Sequence, residues 1–359
     1  MWILFIAFMF LGGIAAIIYL VTRFHNFSFI RKISNKTVSW IVASVPVAAV
    51  ACFAIYDIYA MIVVMLHLAL FFLLSDLTAH IYRKVKKKEK GERYWSGLAA
   101  VILTVVFMTF AWFCAYHVFR SSYEFSTDKN VGDIRIIFIA DSHLGITLDG
   151  KRFGEQMERI DREGADCLII DGDFVDDDSK KEDLVEACKA LGRMKTPVYF
   201  IYGNHDRGYY NYRDFTPEDL VDNLTANGVI ILQDEVETVN GKFYLVGRED
   251  RSRLDRKSVQ ELLEPLDKKL YIITADHQPG DFDDEALYGA DLVLSGHTHG
   301  GHVWPSGYFA YWFGVNDGIW GLYQQGKTNC IVTSGISGWA IPFKTGTFSE
   351  YVIIDIHGK

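Results

Sequence analysis

Apolar residues dominate the first 120 positions, and polar ones interrupt them at intervals that fit loops. Four apolar stretches can be drawn, residues 2–22, 38–56, 58–82 and 95–119. Each is close to the roughly 20 residues that an α-helix needs to cross about 30 Å of hydrocarbon. A helix that is apolar on every side has no face to offer water, so the pattern predicts an α-helical transmembrane region of about four spans within residues 1–125. Only Asp57 and its neighbours separate the second stretch from the third. The two read as a hairpin, with one long interrupted helix as the alternative. The first stretch has no basic segment before it and is followed by Arg23, Arg31 and Lys32, which reads as a retained span rather than a cleavable signal peptide.

After residue 130 the period changes. Short β-rich runs at 134–139, 167–170, 198–202 and 351–356 alternate with helical segments at 152–163, 181–194 and 217–227. This alternation predicts an α/β domain over residues 133–359. Residues 130–133 read as a short linker that keeps the domain close to the bilayer.

Charge changes the picture in two ways. The 359 residues carry a formal net charge of −9, but residues 1–130 hold 13 Lys/Arg against 6 Asp/Glu, and the remainder 23 against 39. An acidic domain repels polyanions at long range, so no nucleic-acid partner is expected. The positive charge clusters in the first connection, at Arg23, Arg31, Lys32 and Lys36, and in the third, at Arg83, Lys84, Lys86, Lys87, Lys88, Lys90 and Arg93. Short basic loops face the cytoplasm. With four spans this places an integral protein in the cell membrane with its domain extracytoplasmic; losing the hairpin would reverse the parity. Tyr19, Trp40, Tyr82, Tyr94 and Trp95 would mark the inner interface as an aromatic belt. The five cysteines show no CxxC spacing and read as buried free thiols.

The candidate chemistry begins where the β-rich runs end. Gly296-His297-Thr298-His299-Gly300-Gly301-His302 follows an apolar run at 290–294 and gathers three imidazoles. Imidazole is the commonest protein ligand for borderline cations. Three further segments share the design: Ala140-Asp141-Ser142-His143, Asp171-Gly172-Asp173 and Gly203-Asn204-His205-Asp206. Loops beyond the carboxyl ends of strands in an α/β sheet gather in one crevice, so these segments would deliver their side chains to one metal site.

These segments resemble the calcineurin-like metallophosphoesterases, whose pattern is Asp-x-His, Gly-Asp, Gly-Asn-His-Asp/Glu, an isolated His and Gly-His-x-His, in that order. All five occur here in order, the isolated one being His277 in Thr274-Ala275-Asp276-His277-Gln278-Pro279. The resemblance runs over about residues 133–357 and implies a four-layer α/β/β/α sandwich that hydrolyses phosphoesters with two divalent ions. It gives Asp173 the place between the ions. Asp141, His143 and His299 complete one shell, and Asn204, His277 and His297 the other. His205 is carried over as the imidazole that binds no metal and stabilises or protonates the leaving oxygen, oriented by Asp206. The mixed oxygen and nitrogen set suits Mn²⁺, Fe or Zn²⁺. Asp176 is a candidate acceptor behind the ligands.

The later stretch, Gly321-Leu322-Tyr323 through Ser334-Gly335-Ile336-Ser337-Gly338 to Ile341-Pro342-Phe343, resembles the membrane-anchored branch similar to UDP-2,3-diacylglucosamine-cleaving phosphoesterases. The chain departs from that branch at His302, where Gln is common, and at Lys344, where Arg is usual. His302 reads either as a substrate contact or as a loop filler. Asp177 and Asp178 read as a solvated helix N-terminus. His67, His80 and His117 read as packing or interfacial residues.

Trp304, Tyr308, Phe309, Tyr311, Trp312, Phe313, Trp320 and Tyr323 crowd the loop after the last metal motif. They read either as core or as an apolar lip that receives an acyl chain or dips into the bilayer interface. The expected function is a membrane-anchored, two-metal, in-line hydrolase of a lipid-linked or membrane-proximal phosphoester or pyrophosphate. A protein or nucleotide phosphatase is the alternative within that class. A catalytically idle metal-binding membrane receptor is the alternative outside it, and His205 with Asp206 argue against it, because a structural metal site needs neither.

Overall fold

The computed structural model describes residues 2–89, 91–210 and 212–359, and the side chains of residues 2–12 and of Ser306 are outside that description, as is Lys90 of the basic loop. The chain divides into two compact units, Met1–Phe110 and Ala111–Lys359.

The first unit is helical. Lys36–Ile55, Ile58–Lys86 and Trp95–Tyr116 are long and apolar enough to cross a membrane, while the first expected span falls partly outside the described side chains and is seen there as the apolar helix Gly13–His25. The hairpin reading of the second and third stretches holds. Pro46 lies inside Lys36–Ala51, a 3₁₀ turn follows at Cys52–Ile55, and the extended backbone of Asp57 starts a new helix. The Asp57 carboxylate accepts the N–H groups of Tyr59 and Ala60 at 2.8 and 3.0 Å, capping donors that would otherwise be orphaned in a membrane. Ala43 and Val47 share an apolar cluster with Met65, Leu68 and Phe72, so the two helices lie side by side. A carboxylate inside an apolar helix is costly unless it is paired. Asp76 meets this by accepting from Arg23 Nη1 at 3.1 Å, Tyr94 OH at 2.5 Å and Ser96 Oγ at 2.7 Å, which ties three segments together.

The second unit contains strands β1 (Val118–Ser126), β2 (Asp133–Ile139), β3 (Cys167–Asp171), β4 (Val198–Ile201), β5 (Ile230–Leu232), β6 (Glu235–Val239), β7 (Phe243–Gly247), β8 (Tyr271–Ala275), β9 (Leu292–Ser295), β10 (Gly321–Gln325), β11 (Thr328–Val332) and β12 (Ser349–His357). They form two six-stranded sheets, ordered β1-β12-β2-β3-β4-β5 and β10-β11-β9-β8-β7-β6. Ile134, Ile136 and Phe138 of β2 join Leu245, Ile273 and Leu294 of the other sheet in the core between the sheets. The alternate residues Ile137 and Ile139 face outward, onto Phe153, Met157 and Ile160 of the helix Gly150–Ile160 and Leu184 of the helix Lys181–Leu191. On the far side, Ile272 and Val293 pack with Leu262 and Phe282. Period-two alternation along β2 thus feeds two cores, and the layers are α/β/β/α.

The sequence-based boundary is corrected here. Residues 118–126, assigned almost entirely to the membrane region, form an edge strand that pairs with β12 along its whole length. Their inward and outward positions alternate, whereas the preceding helix ends at Tyr116. The expected linker at 130–133 is the β1–β2 connection, with Val131 buried and the Gly132 N–H donating to the Lys359 carbonyl.

Candidate metal centre

β2, β3 and β4 are adjacent and parallel, and so are β8 and β9 in the second sheet. The chain therefore leaves five strands at the same end of the sandwich. Asp141 and His143 follow β2, Asp173 follows β3, Asn204, His205 and Asp206 follow β4, His277 follows β8, and His297 and His299 follow β9. All these turns are tight. Asp141, His143, Asp173, His297 and His299 sit at φ between 36° and 68°, a conformation that costs non-glycine residues about 1–3 kcal/mol each and collects at functional sites. Gly172, at φ 75°, must lack a side chain, since a Cβ there would stand 2.5 Å from the Gly203 nitrogen and 2.7 Å from His277 Nδ1. Gly335 likewise abuts Asp141, whose Cβ lies 2.7 Å from where its own would be.

Two ligand clusters result, beside a third group of His143, Asp176 and His205. Asp141, His143 and His299 offer ligand atoms within 4.8 Å of one another, and so do Asp173, His277 and His297. His143 Nε2 lies 3.1 Å from His299 Nε2, and His299 Nε2 is 3.5 Å from Asp141 Oδ1. Asp173 Oδ2 lies between the clusters, 3.1 Å from His277 Nε2 and 3.6 Å from His143 Nε2. Asn204 Nδ2 donates to Tyr209 OH at 2.8 Å, which leaves its buried Oδ1 without a partner.

The tautomers are set from behind. His277 Nδ1 donates to the Asp171 carbonyl at 2.7 Å, turning the buried, unpartnered Nε2 toward Asp173. His143 Nδ1 and His205 Nδ1 each lie 3.0 Å from an oxygen of Asp176. Imidazoles held at one nitrogen by a carboxylate or carbonyl, with lone pairs converging on the other, are the usual dress of metal ligands. Burial raises the Asp141 carboxyl to about 6. Burial also pulls the His297 ring down to about 4, leaving it neutral as a ligand must be. Buried carboxylates together with the unpartnered His277 Nε2 and Asn204 Oδ1 would be costly without a cation, so these residues fit divalent metal.

Asp206 is corrected. It does not orient His205. Its buried carboxylate accepts the backbone N–H groups of Asp173, Phe174, Val175 and Gly203 at 2.7–3.2 Å, which locks the loop carrying Asp173 to the loop carrying His205. Asp176 holds the His205 ring instead. Burial lowers the His205 pKa, while the bond to Asp176 and the surrounding carboxylates raise it by more.

Other expectations fall out differently. Asp177 is not a solvated terminus, since it accepts the Tyr209 and Tyr210 N–H groups at 3.1 Å. Lys344 is buried and donates to the carbonyls of Ser334 and Gly335 at 2.5 and 3.2 Å, pinning the turn that abuts Asp141. Burial brings its ammonium down to about 7. His302 is half-buried, its ring centre 5.4 Å from that of His299 and its carbonyl accepting from Thr345 and Gly346. Of the aromatics after the motif, Tyr323 packs against the outer core, whereas Trp312 is 66 % and Phe313 80 % exposed. Their helix, Ser306–Trp312, rests on the ligand loop through Gly307 and Gly301, where a Cβ on Gly307 would meet the Gly301 backbone.

Two residues at the site escape the sequence patterns. Trp339 is 42 % exposed, and its ring centre lies 5.8 Å from that of His205 and 6.3 Å from that of His299. No spacing announces it, because the turn after β11 is brought in by the fold. Tyr209, five residues beyond Asn204, could have been sought as a partner for its amide.

A profile described as calcineurin-like phosphoesterase matches residues 134–301. A metallophosphoesterase of Aquifex aeolicus is 31 % identical over 256 residues, covering 68 % of this chain and 94 % of the relative. The chain belongs to the calcineurin-like metallophosphoesterase family. A metallophosphoesterase of Campylobacter jejuni is 28 % identical over 63 % of this chain and 60 % of its own length. A Danio rerio transmembrane protein with metallophosphoesterase domain is 28 % identical over 62 % of this chain and 53 % of that protein. As a family member this metallophosphoesterase is a metal-dependent phosphoester hydrolase that uses divalent ions, and its apolar helices make it a membrane protein.

Proposed function

We propose that this metallophosphoesterase hydrolyses a lipid-linked or membrane-proximal phosphoester or pyrophosphate by in-line displacement across two divalent ions, of Mn, Fe or Zn, with its domain outside the cytoplasm. The observation that carries the two-metal reading is the place of Asp173, whose Oδ2 faces His143 Nε2 at 3.6 Å and His277 Nε2 at 3.1 Å. Asp141, His143 and His299 would hold one ion, Asn204, His277 and His297 the other, and Asp173 both. Bound ions neutralise the non-bridging oxygens and acidify water. The chain's own residues do the rest. Asp176 fixes the His143 and His205 rings through Nδ1, so His205 presents Nε2 to the leaving oxygen and can hand it a proton. Asp206 acts as a positioning residue through the backbone of both loops.

The decisive experiment assays the purified full-length protein on generic phosphomonoesters and diesters. Chelator should remove hydrolysis, and Mn²⁺ should restore it. Undiminished turnover in excess chelator, with metal content shown to be zero, would overturn the metal-centred reading.

The membrane helices and the exposed aromatics beside the ligand loop support a lipid substrate, since rings of this kind favour the bilayer interface. Replacing Trp312 and Phe313 by Ser should cut turnover of a vesicle-embedded lipid phosphoester about tenfold or more while leaving a soluble aryl phosphate within about twofold, each exposed ring being worth roughly a kcal/mol at an interface. Equal losses on both substrates would remove the lipid reading. A nucleotide ester is the second reading, favoured by the half-exposed Trp339 ring beside His205, against which a base could stack.

A further inference from the structure

Within the helical unit, a cavity of about 660 Å³ opens where the helix Ile58–Lys86 ends and Trp95–Tyr116 begins, against Arg23 of the helix Trp2–His25. Its lining changes character along one helix face. Leu73 and Leu77, four residues apart, line the apolar part, His80 and then Arg83 each follow three residues on, and Lys88 and Arg93 close the basic rim with Arg23. Residues three and four apart share a helix face, so this gradient from apolar to cationic is built into the sequence.

The cations are largely uncommitted. The one ion pair among the described residues of this unit is Arg23 with Asp76, and Asp76 is already engaged by Tyr94 and Ser96. Arg23 Nε is buried without a partner. Lys88 Nζ meets Tyr82 alone, 3.5 Å from its hydroxyl and 5.6 Å from its ring centre, and the Arg93 guanidinium sits 5.8 Å from the Trp95 ring. Glu89 is the other acid that lines the cavity, leaving cations in excess.

We propose that this cavity binds the phosphate headgroup of an anionic phospholipid, with its acyl chain along Leu73 and Leu77. Basic pockets at the ends of membrane helices attract anionic headgroups, and guanidinium groups match phosphate oxygens by paired hydrogen bonds. A free phosphate shares the charge but has no use for the apolar wall. Every residue that lines the site belongs to the helical unit, and the proposal does not depend on what the metal centre hydrolyses.

The test uses full-length protein in detergent, with native mass spectrometry and thermal unfolding as readouts, and phosphatidylglycerol, phosphatidylcholine of the same chains, and inorganic phosphate as probes. Phosphatidylglycerol should be retained about tenfold or more better than phosphatidylcholine. The variant R83Q/R93Q should lose that preference, whereas R31Q/K32Q, which removes equal charge outside the cavity, should keep it. Three results would overturn the proposal: no headgroup preference in the unaltered protein, equal loss in both variants, which marks diffuse charge, or displacement of phosphatidylglycerol by millimolar phosphate alone, which marks a soluble-anion site. Should R83Q/R93Q fail to fold, headgroup preference and phosphate competition in the unaltered protein decide the matter.

Discussion

Asp173→Asn is expected to lower hydrolysis by about 10³-fold or more and to reduce bound metal to below one equivalent. The size follows from the position of the carboxylate, which faces ligand atoms of both clusters and, through Oδ1, accepts the His205 backbone N–H at 2.8 Å. An amide keeps the shape but offers one weaker oxygen and no charge, so two cations would repel each other across it. The contact with the His205 N–H can survive in the Asn variant, and the fold should persist with it. Metal analysis alongside steady-state kinetics checks this; a variant with full activity and full metal content would refute the assignment.

His205→Ala is expected to cost about 10²- to 10⁴-fold on alkyl phosphoesters but no more than about tenfold on a nitrophenyl ester, whose leaving group needs no proton. Asp176→Asn should follow the same leaving-group dependence, because Asp176 turns His205 Nε2 toward the site, and should also weaken metal binding about 10- to 100-fold through its other partner, His143. Asp206→Asn should behave differently. Its oxygens hold four backbone donors, so an amide there leaves a buried donor facing an N–H and costs about 1–3 kcal/mol of stability. Its losses should be the same for good and poor leaving groups. A plot of log kcat against leaving-group pKa for the three variants separates the roles, and a steepened slope in Asp206→Asn alone would restore the original pairing.

Much of this protein is legible without coordinates. Spans are readable because hydrocarbon demands length and apolarity at once, which loops and core helices do not combine. The ligand segments are readable because each needs a rare local conformation, with Gly172 beside Asp173 and Gly296 beside His297 providing the tight approach. What failed had a different character. Residues 118–125 read as part of the membrane region because an edge strand with one apolar face, beginning next to an apolar helix, carries no boundary marker of its own.

By itself the sequence determined the chemical inventory: which residues can bind metal, in what order they come, and that apolar helices precede them. Those properties are local, set by side-chain type and by turns a few residues long. Only the tertiary structure decided which carboxylate serves which ring. Asp176 and Asp206 are both acids near His205, and the choice between them depends on how the loops after β3 and β4 cross, with Asp206 drawn beneath four backbone donors and Asp176 left free to face two imidazoles. It likewise decided that Lys344 ends as a buried pin and that Trp339 stands over the imidazoles, since both arrive through strands paired far apart in the chain.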